Sequence, residues 1–402
     1  MDKTMETGIT NAEVEQLLNE KMGVEDDIDG VDDISNEGEN TQEQPFDAES
    51  IRIDQQHLSL KYVYELYQDG VLKLDPDFQR RYVWGDRRKK SLLIESMMLR
   101  IPIPAFYFFE KNDGKFLVID GQQRLHTIFD YLEGNFGLKG LEYLSEICDK
   151  KKFQNLDAKY QQRIRRTQLA INILDERSPR AVVFDIFRRV NTGGVPLNPH
   201  EMRNAICSES TRELLKNGAH CEAFLKATRS KIKDLRLDDQ EVFLRFITLY
   251  RRYDYKTREL EKLKPSKLIQ LMDNEITELD KLSKQERTEL VKAFELSMER
   301  CWKLFGENAF VKLSLNQNRY YKNNDIINKS LFAAFSVLLA DPDICDDDFS
   351  EKQEKVCMTL AKHLENLSYM NSVTKATGDE RNILVCFEKS LEVLQECGII
   401  NR

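Results

Sequence analysis

Hydrophobic positions between residues 51 and 207 follow two different periods, which predicts a mixture of helices and strands. Helical spacing predicts helices over Ser59–Gln68 and Asp86–Arg100, and apolar or aromatic runs predict strands over Ile103–Glu110, Lys115–Asp120 and Leu169–Asp175. Lys111-Asn112-Asp113-Gly114 separates the first two strands with residues typical of a hairpin turn. We therefore expect an α+β domain over residues 51–207.

Three further helices are predicted in this domain. Apolar residues spaced at i, i+3, i+4 and i+7 follow Asp120, namely Leu125, Ile128, Phe129 and Leu132. Ser178-Pro179 has the composition of a helix start, and Asn191-Thr192-Gly193-Gly194 that of a helix end. Asn198 followed three residues later by Glu201 predicts a capped helix start.

Residues 208–402 are predicted to form an all-helical domain, because apolar stripes at helical spacing follow one another to the end. The stripes include Val242–Tyr250, Leu290–Phe305, Ile326–Leu339, Val356–Leu367 and Ile383–Leu394. Asp238 with Glu241, and Ser283 with Glu286, have the spacing of capping boxes.

Charge is distributed unevenly, although the whole chain has a net charge of −9. Residues 1–50 contain 16 Asp/Glu and two Lys, and we expect them to form a disordered acidic tail with a transient helix near Ala12–Met22. Two roles remain open for this tail, a solvating segment or an autoinhibitory mimic of phosphate charge. The remaining residues contain 58 Lys/Arg and 53 Asp/Glu, a net charge of +5, which is compatible with a polyanionic partner.

The sequence predicts a cytoplasmic protein without a membrane partner. Its longest nearly apolar run, Leu331–Ala340, is shorter than the ~20 residues that a bilayer requires. The acidic N-terminus lacks the apolar segment of a secretory signal. None of the eight cysteines forms a C-x-x-C pair, so we do not expect a zinc site.

The first candidate site is a strand followed by a turn and a helix, Phe116 to Leu125. The beginning of a helix exposes unpaired N–H groups that suit a phosphate, and Gly121 allows close approach. Arg124 offers a fork for phosphate oxygens, Gln122 or Gln123 could orient water, and Asp120 could hold Mg²⁺ or accept a proton. A purely structural motif, with Asp120 as cap and Arg124 in an ion pair, explains the same residues.

Two more segments combine basic, amide and aromatic residues. Phe187 to Leu197 places Arg189 and Asn191 beside a Gly-Gly loop, as an anion site or as a simple helix end. Asp77 to Trp84 includes Gln79 and Arg80 between aromatic residues, which suits nucleotides or the packing of a loop. Four consecutive cations follow, which predict either a solvated helix face or a DNA backbone contact: Arg87, Arg88, Lys89 and Lys90.

These segments, in this order, resemble the N-terminal domain of GmrSD-type restriction enzymes. The shared motifs are Phe78-Gln79-Arg80 with Tyr82 and Trp84, Glu95-Ser96, Ile101-Pro102-Ile103-Pro104, Asp120 to Thr127, and Phe187, Arg189, Asn191, Gly194, Leu197 and Glu201. Arg236 to Glu241, followed by Leu244-Arg245-Phe246, resembles a downstream element of the same proteins. The resemblance covers roughly residues 50–250.

The resemblance implies a ParB/sulfiredoxin-like fold that binds and hydrolyses a nucleoside triphosphate with Mg²⁺, in bacterial DNA restriction or anti-phage defence. The residues implied in catalysis are Asp120, Gln122, Gln123 and Arg124, with Asp120 also a metal ligand. Those implied in nucleotide binding are Gln79, Arg80, Gly121, Thr127, Arg189 and Asn191. On this hypothesis, replacing Arg124 by alanine abolishes turnover and leaves the fold intact.

The sequence departs from full-length restriction enzymes of this type, which carry an HNH-like nuclease domain. Beyond residue 220 it has a single histidine, His363, without the neighbours that such a nuclease requires. We therefore expect a separate nuclease subunit, self-association or DNA as the partner of the C-terminal half. A non-catalytic adaptor for nucleotide or DNA, or a nuclease that uses the ParB-like pocket, remain the alternatives.

Overall fold

The computed structural model describes residues 28–29, 52–74, 86–111, 113–178, 182–184, 186, 198–232, 234–317 and 319–401. Two compact units divide the chain, Asn40–Cys207 and Ser208–Arg402, and the second also includes Met1–Glu39. Most of the predicted acidic tail lies outside the described residues. So do the predicted helix end at residues 191–194 and the segment 75–85.

The strands in chain order are β1 (Ile28–Asp29), β2 (Ile53–Ser59), β3 (Leu72–Lys73), β4 (Phe106–Glu110), β5 (Phe116–Asp120), β6 (Gln168–Asp175), β7 (Tyr253–Asp254), β8 (Glu259–Leu260), β9 (Leu313–Asn316), β10 (Arg319–Lys322) and β11 (Ile327–Asn328). Strands β2 to β6 belong to the unit Asn40–Cys207. They form one mixed sheet in the order β2-β6-β4-β5-β3.

The helices of the first unit are α1 (Leu60–Gln68), α2 (Arg87–Leu99), α3 (Gln122–Leu132), α4 (Ser145–Cys148), α5 (Ala158–Arg165) and α6 (Pro199–Ile206). Their predicted starts are confirmed at three points. The side chains of Ser59 and Asp86 cap α1 and α2. Asn198 and Glu201 form the predicted capping box of α6, with both hydrogen bonds at 2.7 Å.

The predicted hairpin is confirmed, since β4 and β5 pair antiparallel across a turn in which Gly114 has a φ of +74°. Strand β4 begins at Phe106, however, and not at Ile103, where the apolar run predicted its start. Proline has no N–H to donate to a sheet, so Pro102 and Pro104 keep the residues before Phe106 out of the ladder. The sheet is parallel between β4 and β6 and between β3 and β5.

Apolar residues cover both faces of this sheet. Alternating side chains of β4 separate them, because Phe106 and Phe108 belong to one core while Phe109 belongs to the other. Helices α1, α2, α3 and α5 pack on the first face. Val183, Phe184 and α6 pack on the second. The beginning of α3 directly follows β5, which lies beside the central strand β4 of a sheet that is covered on both sides.

The second unit is built mainly from nine helices among its described residues: α7 (Glu209–Ala219), α8 (Glu222–Ala227), α9 (Asp238–Tyr250), α10 (Leu268–Leu279), α11 (Lys284–Phe305), α12 (Lys329–Leu338), α13 (Phe349–His363), α14 (Leu367–Ser372) and α15 (Glu380–Glu396). Aromatic side chains of α9, α11 and α12 share its core, and the rings of Phe243 and Phe294 lie 4.6 Å apart.

Two predictions for this unit are wrong in detail. It is not all-helical, since β9 and β10 form a hairpin and β11 pairs in parallel with β1. Residues 313–316 alternate apolar and polar side chains, which favours a strand over a helix. Ser283 and Glu286 form the predicted capping box, but Asp238 does not cap α9, because it already lies in the helix behind Leu237.

Within the part of the chain that the structure describes, the helices are all too short or too polar to cross a bilayer.

Candidate functional site

The turn between β5 and α3 requires glycine at position 121. Gly121 has a φ of +96°, in the left-handed region that side chains disfavour. A Cβ atom there would lie 2.3 Å from Cδ1 of Phe106, which real structures do not allow. The glycine therefore lets α3 begin directly against β4.

An irregularity in the sheet precedes this turn. Tyr107 pairs with Asp120, but Phe108 pairs with Val118, so Ile119 is an extra residue in β5. The carbonyl of Val118 accepts a hydrogen bond from Nε2 of Gln122 at 2.8 Å. This bond fixes the amide of Gln122 and leaves its oxygen facing away from the carbonyl.

Arg124 is anchored to the protein rather than open to solvent. Nη1 donates to the carbonyl of Pro104 at 2.5 Å, and Nη2 donates to the carbonyl of Ala105 at 3.1 Å and to Asp120 at 2.7 Å. The guanidinium also lies 4.4 Å from the ring centre of Phe106. Its side chain is 13% exposed, and burial lowers its pKa while Asp120 opposes that effect.

Asp120 and Arg124 therefore form the ion pair that the structural interpretation of the motif predicts. Asp120 does not cap α3, because Gly121 holds the cap position and, among the described residues, no capping side chain accepts a hydrogen bond from the first N–H groups. Two of the three protein groups held by Arg124 are backbone carbonyls of the segment before β4. Arg124 consequently fixes that segment against the start of α3.

Two buried amide oxygens stand beside the open first turn of α3. Gln122 is 6% exposed and Gln123 is 8% exposed. Neither Oε1 atom has a hydrogen-bond partner among the described residues. A buried carbonyl without a partner costs free energy, on the order of 1–3 kcal/mol, and is typical of a site that a ligand or water completes.

Two further polar residues of α3, His126 and Thr127, are also partly or fully buried. Thr127 is buried and donates to the carbonyl of Gln123 at 2.8 Å. His126, which the sequence analysis did not select, is half-buried, and burial lowers its pKa. Its position between two motif residues is the signal that could have identified it. Thr127 supports the helix at Gln123 rather than facing an open site.

The predicted DNA contact on α2 is partly used by the protein itself. Nε of Arg87 donates to the carbonyl of Gly137 at 3.0 Å, and Arg88 lies 3.6 Å from Glu142. Lys90 is half-buried 5.7 Å from the ring centre of Phe136, and burial lowers its pKa. Lys89 is exposed. The four cations thus do not act as one free surface.

Glu95, another residue of the shared motifs, has a structural position. Its carboxylate is buried and accepts hydrogen bonds from the backbone N–H groups of residues 142, 143 and 144 at 3.0, 2.8 and 2.8 Å. Glu95 belongs to α2, and its hydrogen bonds therefore hold the loop that follows α3. The predicted ligands Gln79, Arg80, Arg189 and Asn191 lie outside the described residues.

The described residues around Asp120 do not by themselves fit a Mg²⁺ ion. Such sites generally use one or two carboxylates that are free to coordinate, together with waters or phosphates. Asp120 is committed to Arg124, and no group of three His, Cys, Asp or Glu suited to a metal is present in the described ranges. We therefore assign no step to a protein-bound metal.

The fold and the site define an α+β domain whose motif helix begins without a side-chain cap, beside buried amide oxygens. Residues 61–208 match the family described as GmrSD restriction endonuclease, N-terminal domain. This stretch is therefore a domain of that family, and the resemblance predicted from the motifs is confirmed. Comparisons with curated proteins and with solved structures give no match.

Proposed function

We propose that this chain is a nucleotide-binding and nucleotide-hydrolysing component of a bacterial DNA restriction or anti-phage defence system. Its first unit would act as a ParB/sulfiredoxin-like domain, and DNA and a separate nuclease subunit or a second copy would be its partners. The family of residues 61–208 supports the link to restriction, because its description names a restriction endonuclease.

The proposal of a nucleotide site rests on one observation. The start of α3 has no side-chain cap, and its residues Gln122 and Gln123 have buried amide oxygens without hydrogen-bond partners among the described residues. The first N–H groups of a helix and its positive end favour a phosphate. Gly121 keeps this helix start free of a capping side chain, because glycine has none that could bond to the first N–H groups. This combination supports binding of the phosphates of a nucleoside triphosphate at α3.

We assign different roles to Gln123 and Arg124, since the first would bind the attacking water and the second would position other groups of the protein. The oxygen of Gln123 would accept a hydrogen bond from the attacking water, since an amide oxygen can orient a water but takes up no proton at neutral pH. Arg124 acts as a positioning residue, because its terminal nitrogens hold Asp120 and the carbonyls before β4. A Mg²⁺ ion would arrive with the triphosphate, as its oxygens are good ligands for it.

The non-catalytic adaptor is the second candidate, and the contacts of Arg124 favour it. An arginine that stabilises the transferred phosphoryl group has to direct its N–H groups at that group. In this structure both terminal nitrogens of Arg124 bond to protein oxygens. A domain that only senses a nucleotide needs the helix start and the amides but no such arginine.

The test measures phosphate release by the purified chain with each of the four nucleoside triphosphates and Mg²⁺, with and without DNA. Gln123→Met keeps the volume of the side chain and removes the amide, so we expect turnover to fall about 100-fold. Gln168→Met is the matched control, because Gln168 is exposed at the start of β6. It should leave turnover unchanged.

The possible results separate the two candidates. Turnover that Gln123→Met removes and Gln168→Met retains supports hydrolysis at α3. Nucleotide binding by calorimetry without any phosphate release assigns the chain to the adaptor class. Absence of both binding and turnover contradicts the nucleotide site itself.

A further inference from the structure

Residues 150–166, called here the basic strip, concentrate positive charge in the first unit. Seven cations and a single acidic residue, Asp157, occupy this segment: Lys150, Lys151, Lys152, Lys159, Arg163, Arg165 and Arg166. The strip has a net charge of +6, whereas residues 51–402 as a whole have +5. The rest of the chain after residue 50 is therefore close to neutral, and the positive charge of the folded body is local.

Most of these cations are exposed and form no ion pair among the described residues. Lys150, Lys152, Lys159, Arg165 and Arg166 are exposed, and none pairs with an acidic residue of the described ranges. The strip also contains two committed cations. Lys151 lies 3.5 Å from Asp157, and Arg163 donates to the carbonyl of Met98 at 3.0 Å. Five cations thus face solvent without a neutralising partner among the described residues.

The strip is held as a fixed array rather than as a loose loop. Nε2 of Gln161 in α5 donates to the carbonyls of Gln154 at 3.3 Å and Leu156 at 2.8 Å, which ties the helix to the preceding turn. The guanidinium of Arg165 lies 5.3 Å from the ring centre of Phe153 in the same turn. Because the backbone of the strip is already ordered, binding an anion restricts only the cationic side chains and not the segment itself.

Two exposed cations lie on one side of α5 and its C-terminal cap residue. Lys159 and Arg166 are spaced at i and i+7, about 10 Å apart along the axis, and Arg163, which bonds to the carbonyl of Met98, lies between them. Tyr160 and Ile164 occupy the buried side. A row of this length faces several phosphates of a nucleic-acid strand, whose charges repeat every few ångströms.

We propose that the basic strip binds the sugar–phosphate backbone of a nucleic acid. Its aromatic rings, Phe153 and Tyr160, are buried beneath the cations, so the strip offers charge but no stacking surface for bases. Contacts of this kind fix position without reading sequence. A membrane surface is disfavoured, because the strip exposes no large apolar side chain that could enter a bilayer.

This inference uses the proposed role in DNA defence only for the choice of nucleic acid as occupant. The strip lies on α5 and its preceding turn, whereas the proposed nucleotide site lies at the start of α3. Loss of DNA binding with normal phosphate release would therefore concern the strip alone. Loss of phosphate release with normal DNA binding would concern the nucleotide site alone.

The experiment measures fluorescence anisotropy of a labelled duplex of random sequence, about three helical turns long, titrated with the full chain at several salt concentrations. The test variant is Lys152→Gln/Lys159→Gln/Arg166→Gln, which removes three exposed charges. The control is Lys256→Gln/Lys262→Gln/Lys284→Gln, which removes three exposed charges from the second unit. Circular dichroism and thermal unfolding of both variants check that the fold is retained.

We expect the strip variant to bind the duplex at least about 10-fold more weakly than the wild type. The slope of the logarithm of the binding constant against the logarithm of the salt concentration should decrease in magnitude by about 3. Each removed cation no longer neutralises a phosphate, so the counterions of that phosphate are not released on binding. The control should keep both the affinity and the slope. Equal binding by wild type and strip variant overturns the proposal, as does a wild type that binds only vesicles of anionic lipid.

Discussion

The start of α3 and the basic strip are both rich in polar and charged groups, but they use them in opposite ways. At α3, Arg124 directs its charge into the protein, and what stays available is backbone N–H and the amide oxygens of Gln122 and Gln123. In the strip, the charges of Lys159 and Arg166 face solvent. The comparison shows that the arginine of a shared motif can hold carbonyl and carboxylate groups of the protein, whereas the arginine and lysines of the strip face solvent.

The largest effect that would test this comparison concerns the backbone of α3. Gly121→Ala combines a disfavoured φ of +96° with a Cβ atom 2.3 Å from the Phe106 ring. We expect a loss of about 3 kcal/mol or more in the free energy of unfolding, from strain and overpacking together. Urea denaturation of the purified chain measures it.

Gly114→Ala is the matched control for that substitution. Gly114 also has a positive φ, +74°, but no heavy atom lies within 4 Å of the position that an added Cβ atom would take. It should lose only about 1 kcal/mol, from backbone strain. If both variants lose the same amount, close packing against Phe106 is not what requires a glycine at the turn.

A similar or somewhat smaller loss in the free energy of unfolding is expected when the anchoring Arg124 is removed. Arg124→Ala eliminates three hydrogen bonds and leaves the carboxylate of Asp120 partly buried, 23% exposed. We expect it to lower the free energy of unfolding by about 2–4 kcal/mol. The sequence alone led to the expectation that this variant keeps its fold intact, and the contacts of Arg124 now argue against it.

Arg177→Ala provides the comparison, since Arg177 forms a similar pair with Asp175 but its side chain is 67% exposed. Exposed pairs contribute little, so we expect a change of at most about 1 kcal/mol. Urea denaturation of the two variants side by side tests the positioning role. If Arg124→Ala and the wild type are equally stable, the positioning role is wrong, and Arg124 is instead available to contact a ligand.

The sequence predicted the framework of the first unit well, because local signals determine it. Ser59, Asp86 and Asn198 cap helices where predicted, and the turn before Gly114 joins the predicted strands. Helix starts and hairpin turns depend on neighbouring residues, which a pattern contains. The strand that begins at Phe106 was predicted three residues too early, because the effect of two prolines was not included.

The roles of individual polar residues could not be predicted in the same way. Glu95 and Arg124 bond to backbone groups that are far away in sequence, at residues 142–144 and 104–105. Such partners become neighbours only when the sheet and helices are assembled. A basic run likewise has the same composition whether or not its side chains contact other groups of the protein, as Arg87 and Arg88 of α2 and the cations of the strip demonstrate.

The smallest expected effect is on the affinity for a DNA duplex, and its measurement compares the basic run on α2 directly with the basic strip. Arg88→Gln/Lys89→Gln removes two charges from α2, and Lys152→Gln/Arg166→Gln removes two from the strip. Arg88 already lies 3.6 Å from the carboxylate of Glu142, which offsets part of its charge, so the run on α2 contributes a weaker net positive field. We expect the α2 variant to weaken binding of the duplex less than about 3-fold and the strip variant about 10-fold, by anisotropy at one salt concentration. The reverse order would mean that a run of consecutive charges, rather than the absence of a neighbouring carboxylate, determines where the nucleic-acid backbone binds.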